Sequence, residues 1–241
     1  MGGWFNWALN VYPRLRLALN NFYPKLKGRH DSTAHIWVNN NIWDDFTWAI
    51  KVLNTSSGIH LLKSLHWDCK DATLTLYCNA CPEGIGFWYL ELNIRFYLTT
   101  PYYTHPDLIF YFEALCVQSA LFDVHRRTME KGKGCFVVFT DNMNTVDIFN
   151  SFRALPPYNH LLKAAVDTLN HGDHDMRILH IAGTENTVAN ALSCADFYRA
   201  MALSPNLKIS TFEPWSWSPD SNGTVIFQPP RGTLGADKLW T

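Results

Sequence analysis

The sequence predicts an α/β domain, a mixed five-stranded sheet flanked by helices, which follows a small helical segment. Between residues 73 and 197 the hydrophobic pattern runs as three strands in succession, then a helix, a strand, helices, a strand and a helix. Three hairpin-connected strands followed by right-handed crossovers produce a mixed sheet with helices on its faces. A chain of 241 residues, 47% hydrophobic and 17% charged, is long and apolar enough to bury its own core.

The strands follow from short runs of residues. Residues 73–78 alternate polar and apolar side chains, and similar runs cover 85–89 and 93–98. Residues 135–140 are almost wholly apolar, which is typical of a strand buried on both faces of a sheet. The last strand is predicted over 176–181. Helical periodicity predicts the intervening and final helices at 108–125, 144–152, 159–170 and 185–197.

The regions outside the sheet differ in pattern. A helix is predicted over 4–27 with an interruption at Pro13, and a second helix is predicted to begin at Asp44 and Asp45. The C-terminal part contains five prolines and little periodicity, so we expect it to be extended. The predicted regions are a helical segment, the α/β domain and an extended Pro-rich C-terminal tail, at 1–66, 67–199 and 200–241.

The composition excludes several classes of protein. Twenty Lys and Arg residues against 21 Asp and Glu residues leave a formal charge of −1, so any contact with nucleic acid must be local. The six cysteines are scattered, which is typical of reduced thiols. The first residues do not form a secretory signal, and the apolar stretch 108–122 is too short to span a bilayer. We therefore expect an intracellular protein, cytoplasmic or nuclear, without a membrane partner.

Four polar side chains lie at element ends that face one edge of the predicted sheet. Asn79 closes the first strand, Glu113 lies in the first long helix, Asp141 follows the fourth strand, and Asn190 lies in the last helix. On their own, Glu113 could be a solvated helix residue, Asp141 could cap the next helix, and Asn190 could be an ordinary polar helix residue.

The order and spacing of these residues resemble the ribonuclease H domain of retroelement reverse transcriptases, most closely gypsy-like and DIRS-like elements of fungi. In that family the first strand ends in Asp-Ala, and a late Gly-x-x-Asn-x-x-Ala-Asp-x-Leu-Ser motif supplies the last carboxylate. The matching segments here are Asn79-Ala80, Glu113-Ala114-Leu115, Thr140-Asp141-Asn142 and Gly183-x-x-Asn186-x-x-Ala189-Asn190-x-Leu192-Ser193. The opening Gly3-Trp4-Phe5-Asn6-Trp7 is similar to the thumb and connection that precede this domain, so the resemblance covers about residues 3–198.

The resemblance implies a C-terminal fragment of a reverse transcriptase with a ribonuclease H-like domain. It also implies metal-dependent hydrolysis of the RNA strand in an RNA–DNA hybrid, with Mg²⁺ or Mn²⁺ as the metal and no small-molecule cofactor. Asn79, Glu113, Asp141 and Asn190 occupy the four catalytic positions, and Glu113 and Asp141 remain as metal ligands. The family pattern therefore assigns nucleic acid as the partner and leaves the oligomeric state undetermined.

Two departures from the family change that expectation. The first and last carboxylates are replaced by Asn79 and Asn190, and an amide cannot balance the charge of a divalent cation pair. Asp196 lies on the wrong helix face, and Asp71 lies at the opposite end of its strand, so neither replaces them. We expect weak metal binding and weak or lost hydrolysis. The alternatives are a non-catalytic nucleic-acid-binding module and an inert structural or interaction domain.

Other features have two interpretations each. Cys78-x-x-Cys81 with His171 and His174 could form a zinc site, although their predicted positions disfavour it. The tryptophans at 4, 7, 37, 43 and 48 favour core packing over a platform for stacking bases. The basic stretch from Arg14 to Arg29 is equally compatible with a solvated face and with phosphate contacts. Asn186 and Ser193 are compatible with local capping and surface exposure.

Overall fold

The computed structural model describes residues 9, 12–28, 31, 33, 35–56, 67–100, 108–128, 132–205 and 208–212. The strands are β1 (Leu74–Ala80), β2 (Gly84–Tyr89), β3 (Ile94–Thr99), β4 (Cys135–Thr140), β5 (Asp175–His180) and β6 (Lys208–Thr211). They form a six-stranded sheet in the order β5-β4-β1-β2-β3-β6. The α-helices are α1 (Tyr23–Leu26), α2 (Asn40–Thr55), α3 (Leu108–Thr128), α4 (Met143–Ser151), α5 (Asn159–His171), α6 (Thr187–Ser193) and α7 (Phe197–Leu203).

Strand β1 lies in the interior of the sheet. It pairs antiparallel with β2 and parallel with β4, where Leu74 lies opposite Phe136 and Tyr77 opposite Phe139. Strand β3 continues antiparallel beyond β2, and β5 continues parallel beyond β4. The predicted α/β class is confirmed: a mixed sheet flanked by helices, with the first strand between the second and the fourth, and with six strands in place of the five predicted.

Helix α3 is the core helix of the domain. It packs against β1, β2 and α5. At 21 residues it is long and apolar enough to cross a membrane. However, 72% of its most apolar 18-residue segment is buried within the protein. The apolar stretch 108–122 alone is too short to span a bilayer, but the helix continues to Thr128 and is longer than that stretch. Its packing is that of a buried crossover helix.

The predicted helix over 185–197 is divided into two. Helix α6 ends at Ser193, and Ala195 adopts a φ of 56°, which is incompatible with a continuing right-handed helix. Asp196 then begins α7, because its side chain accepts a hydrogen bond from the backbone N–H of Arg199 at 3.1 Å. The break turns the chain at Cys194, immediately after the last residue of the late motif.

The chain after residue 200 is more structured than predicted. Helix α7 continues to Leu203, and β6 adds a sixth strand parallel to β3. Phe212, just after β6, packs edge-on against Phe87 at a ring-centroid distance of 4.9 Å. The expectation of an extended tail from residue 200 is therefore wrong for residues 200–205 and 208–211. The tail predicted over 213–241 lies outside the described residues.

The N-terminal region also differs from its prediction. In place of a helix to residue 27, the chain forms a 3₁₀ helix over Pro13–Leu19 and then the short α1, while residues 1–8 lie outside the described part. Helix α2 begins at Asn40, because the side chain of Asn39 accepts a hydrogen bond from the N–H of Ile42 at 3.1 Å. Asp45 therefore lies inside the helix instead of opening it.

Buried polar contacts attach this region to the α/β domain. The carboxylate of Asp45 is 1% exposed and forms an ion pair with Lys163 of α5. Asn159 donates a further hydrogen bond to Asp45 at 2.8 Å. The 3₁₀ helix contributes Leu17 and Leu19 to the same hydrophobic core as the sheet and α3. The boundary predicted at residue 66 lies outside the described residues, but the described residues on its two sides share one core.

Arg14 forms the second buried attachment. Its guanidinium donates to the side chain of Asn170 at 2.7 Å and to the carbonyl oxygen of His174 at 2.6 Å. It also forms a salt bridge with Asp175 at 3.1 Å, and its side chain is only 10% exposed. Neither interpretation of the basic stretch holds for Arg14, which is neither solvated nor available to phosphate. Arg29 lies outside the described residues.

We expect Arg14→Ala to destabilise the whole domain. The change leaves the buried carbonyl of His174 without its donor and removes one partner of Asp175, although Lys133 still pairs with Asp175 at 3.0 Å. The expected loss is about 2–4 kcal/mol in the free energy of unfolding, measured by urea denaturation. Arg153→Ala, at an exposed position, serves as the control and should change stability by less than about 0.5 kcal/mol. Equal losses in the two variants would contradict the buried attachment.

A second prediction concerns His174, which is 1% exposed. Its Nδ1 accepts from the N–H of Gly134 at 3.0 Å, and its Nε2 lies 2.9 Å from Nδ1 of His125. Burial, with the neighbouring His125, lowers the pKa of His174 to about 4. Because the unfolded chain takes up this proton near pH 6.5 and the folded chain does not, stability should fall as pH drops from about 6.5 to about 4, by on the order of 2 kcal/mol.

Urea denaturation across that pH range checks the prediction. His174→Gln removes the titrating group and should flatten the pH dependence, whatever its effect on stability at pH 7. His180→Gln, at an exposed histidine, should keep the dependence of the parent. If the free energy of unfolding of His174→Gln depends on pH as strongly as that of the parent, other groups control the loss of stability in acid.

Candidate active site

The candidate site lies where β1 and β4 end. These strands are parallel neighbours, so their carboxyl ends meet at the same edge of the sheet. Asn79 is the penultimate residue of β1, and Asp141 directly follows β4. Glu113 reaches the same edge from α3. The structure therefore brings together three of the four predicted site residues.

Glu113 is the most buried acid of the site, at 3% exposed. Its Oε1 accepts a hydrogen bond from the backbone N–H of Ala80 at 2.9 Å, and its Oε2 lies 3.3 Å from the hydroxyl of Thr140. Burial raises the pKa of Glu113 to about 8, and the nearby charge of Asp141 adds to that effect. Without a cation this carboxyl is therefore mostly protonated at neutral pH. The interpretation of Glu113 as a solvated helix residue is wrong.

Asn79 makes a direct contact with Asp141. The hydrogen-bond network assigns the amide nitrogen of Asn79 to the side of Asp141, since there it can donate to the two carboxylate oxygens at 3.1 and 3.3 Å while the side-chain oxygen accepts from the hydroxyl of Ser193 at 2.8 Å. Asn79 is 4% exposed, so these contacts satisfy a buried amide. In this orientation an N–H group lies beside Asp141.

Asp141 is half-buried, and burial raises its pKa while the charge of His180 opposes that shift. It does not cap α4, because Asn142 does so by accepting from the N–H of Thr145 at 3.0 Å. A Cβ atom at Gly183 would lie only 2.9 Å from Oδ2 of Asp141. The glycine of the late motif therefore leaves room for the carboxylate.

Asn190 lies on α6, one turn before Ser193. Its side-chain oxygen lies 3.8 Å from the thiol of Cys194, and its backbone oxygen lies 2.9 Å from the hydroxyl of Ser193. Ser193 in turn contacts Asn79. Asn190 is half-buried and belongs to the same edge through this chain of contacts. Its catalytic role stays a prediction, as do the metal-binding roles of Glu113 and Asp141.

Helix α6 approaches the sheet closely at Gly86. A Cβ atom there would lie 2.7 Å from Cβ of Leu192 and 2.9 Å from the backbone nitrogen of Ser193. At the start of the helix, Asn186 donates to the carbonyl oxygen of Cys78 at 2.9 Å. Asn186 is 1% exposed and Ser193 is fully buried, so the expectation of surface exposure is wrong for both.

Sequence reasoning undervalued four residues of this edge. Asn186 and Ser193 stand inside the late motif, and that fixed spacing was the signal for their contacts with β1. Thr140 stands in the motif Thr140-Asp141-Asn142, whereas His180 carried no pattern of its own, since it is only the last residue of a strand. Their positions next to Glu113 and Asp141 depend on the pairing of β4 with its neighbours.

The donor set does not fit a pair of divalent cations. Two carboxylates remain, and one of them, Glu113, is already hydrogen-bonded to Ala80 and Thr140. The amide of Asn79 presents N–H to Asp141, and it must rotate before its oxygen can face a cation. Two cations carry four positive charges, which these groups cannot balance.

The zinc site considered from the sequence is not assembled among the described residues, and the tryptophans differ in burial. Cys78 is buried beside Cys116, and His174 pairs with His125, so the described residues do not assemble the zinc site considered from Cys78, Cys81, His171 and His174. Trp48 is buried as predicted, but Trp37 and Trp43 are 82% and 67% exposed, so core packing is wrong for these two. Trp4 and Trp7 lie outside the described residues.

Comparison with known proteins gives likeness of structure alone. No protein-family model matches the chain, and no curated protein matches it in sequence. It is similar to the structure of a foamy viral protease-reverse transcriptase in complex with an RNA/DNA hybrid, with 14% identity, a TM-score of 0.41, and coverage of 55% of this chain and 21% of that chain. It is also similar to ribonuclease H1 from the archaeon Halobacterium salinarum, with 13% identity, a TM-score of 0.36, and coverage of 51% of this chain and 98% of that chain. The matched region is thus about a fifth of the foamy viral protein.

We expect Asn79→Asp to make the stability of the domain depend on divalent metal. The new carboxylate replaces an N–H donor about 3.1 Å from Asp141, so two like charges meet in a buried site. Without metal the variant should lose about 1–2 kcal/mol relative to the parent at neutral pH, and millimolar Mg²⁺ should restore that loss. The parent should show little response to Mg²⁺. Thermal unfolding with and without Mg²⁺ measures both effects.

Asn54→Asp is the matched control, because it adds the same charge at an exposed position near the end of α2. It should behave as the parent does in both conditions. If Asn79→Asp also behaves as the parent, Asn79 and Asp141 are not neighbours in solution.

Proposed function

We propose that this chain is the C-terminal part of a retroelement reverse transcriptase, in which a thumb/connection-like segment precedes a degenerate ribonuclease H-like domain. The observation that carries the proposal is the contact between the amide of Asn79 and the carboxylate of Asp141. Two carboxylates at this separation repel each other unless a cation or a shared proton lies between them, whereas an amide and a carboxylate satisfy each other. The site is therefore stable without metal, but it lacks the carboxylates that metal-dependent hydrolysis needs.

The retained scaffold supports the family assignment. Strand order, the position of Glu113 beneath β1 and β4, and the contacts of Asn186 and Ser193 with β1 all agree with a ribonuclease H-like arrangement. In this proposal the departure from the family pattern is the charge of the site, at Asn79 and Asn190. Mg²⁺ or Mn²⁺ would bind weakly here, through Glu113 and Asp141.

The partner in this proposal is nucleic acid, and an RNA–DNA hybrid is the first candidate. With a formal charge of −1, the chain would contact the phosphate backbone through local basic groups, and the RNA strand would be distinguished by its 2′-hydroxyls. All six cysteines are free thiols in the structure, which supports an intracellular setting, cytoplasmic or nuclear.

A non-catalytic nucleic-acid-binding module is the second candidate. The observation in its favour is that the polar groups of the site satisfy one another: Asn79 contacts Asp141 and Ser193, and Glu113 contacts Ala80 and Thr140. A domain that needs no metal to satisfy its buried polar groups can stay folded and bind nucleic acid without catalysing hydrolysis.

Restoring the two carboxylates tests the proposal. The parent should show little or no cleavage of a labelled RNA–DNA hybrid with Mg²⁺ or Mn²⁺, and Asn79→Asp combined with Asn190→Asp should show clear cleavage. Each single change should give much less than the pair, because groups that act as a unit in catalysis are not additive. Adding Asp141→Asn to the double variant is the control and should remove the activity.

Binding of the same hybrid at several salt concentrations separates the two candidates. Robust cleavage by the parent would refute the loss of hydrolysis. A double variant that binds hybrid with a steep salt dependence but never cleaves it would favour the binding module. Absence of both cleavage and salt-dependent binding would favour an inert domain.

A further inference from the structure

A cluster of two thiols and a carboxylate lies beside the candidate active site. Cys81, Glu83 and Cys194 bring one ligand atom each within 4.8 Å of one another, and it is the only such group of His, Cys, Asp and Glu side chains among the described residues. Cys81 and Glu83 belong to the turn between β1 and β2, and Cys194 follows the last residue of α6. The sequence interval between the two thiols hid the cluster from motif analysis.

The backbone holds these groups in place. The turn is closed by two hydrogen bonds between Cys81 and Gly84, from the N–H of each to the carbonyl oxygen of the other, at 2.9 and 3.2 Å. The N–H of Cys194 donates to the carbonyl oxygen of Asn190 at 3.1 Å and so fixes the end of α6. The thiol of Cys81 lies 2.9 Å from Oε2 of Glu83. The three ligand atoms therefore meet on two rigid, hydrogen-bonded segments.

We propose that Cys81, Cys194 and Glu83 bind a thiophilic divalent cation, with Zn²⁺ as the best match. Ligand atoms around tetrahedral zinc, at about 2.3 Å for sulfur and about 2.1 Å for oxygen, lie roughly 3.4–3.8 Å apart, so only a small closure of the cluster is needed. Two thiolates and one carboxylate carry enough negative charge to balance a divalent cation. The side-chain oxygen of Asn190, 3.8 Å from the thiol of Cys194, or a water molecule completes the fourth position.

The chemistry of the site distinguishes it from the carboxylate site of Glu113 and Asp141. Thiolates prefer zinc and similar soft cations and bind Mg²⁺ poorly. Binding replaces the hydrogen bond between Cys81 and Glu83 and releases the two thiol protons to solvent. Glu83 and Cys194 are exposed, so the cation has a path of entry.

A bound cation would join the β1–β2 turn to the end of α6. That position lies two residues after Asn79 and one residue after Ser193, on the two elements whose contact holds the candidate active site together. The expected consequence is a higher melting temperature of the domain with Zn²⁺, whether or not the domain cleaves nucleic acid.

Cobalt is the spectroscopic probe for the test. The reduced, chelator-treated full chain is titrated with Co²⁺, which should give a thiolate-to-cobalt charge-transfer band and the visible bands of tetrahedral coordination at one equivalent. Zn²⁺ should displace the cobalt, and excess Mg²⁺ should not. Cys81→Ser and Cys194→Ser should each lower affinity by more than the roughly 10–100-fold typical of outer-shell changes, and Glu83→Gln should lower it less.

Cys69→Ser and Cys135→Ser are the matched controls, because both thiols are partly exposed and lie outside the cluster. They should bind Co²⁺ as the parent does. Alkylation of the parent gives a measurement without variants: Zn²⁺ should protect Cys194 from iodoacetamide, as mapped by mass spectrometry. Binding without the thiolate band, equal loss in the control variants, or no protection of Cys194 would each overturn the proposal.

Discussion

The buried carboxyl of Glu113 joins three elements of the domain at one point. It accepts a hydrogen bond from the backbone of β1 at Ala80 and contacts the hydroxyl of Thr140 at the end of β4. Helix α3 is thereby held across the ends of the two neighbouring strands. Burying a carboxyl group is costly, and the cost is reduced because the raised pKa keeps the group mostly neutral at pH 7. The position of Asn79 next to Asp141 depends on this alignment of β1 with β4.

The approach of α6 to β2 completes the same edge from the other side. Gly86 allows the backbone of Ser193 to come within a distance that a Cβ atom would forbid. Ser193 then reaches Asn79, and Cys194 reaches the turn that carries Cys81 and Glu83. One close packing contact thus produces both the hydrogen-bonded candidate active site and the neighbouring thiol cluster.

The N-terminal region is attached by buried polar contacts as well as by its share of the hydrophobic core. Arg14 contacts α5 and the residues before β5, and Asp45 pairs with Lys163 of α5. Such contacts have no sequence period, because each partner lies more than 100 residues away along the chain. For this reason the basic stretch suggested surface roles that the structure contradicts at Arg14, and Asp45 was expected at the start of a helix instead of in a buried contact.

The sequence by itself determined the order and type of the elements of the sheet, because the change from period-two to helical patterns is a local property. It also indicated Asn79, Glu113 and Asp141 as one site, since each stands at a fixed place relative to a strand or helix end. It did not determine β6, the break at Ala195, or the buried roles of Arg14 and Asp45. These features depend on contacts with surfaces that exist only once the sheet has folded. The direction of the Asn79 amide and the meeting of Cys81 with Cys194 were decided by tertiary structure alone, because both require segments over 110 residues apart to come into contact.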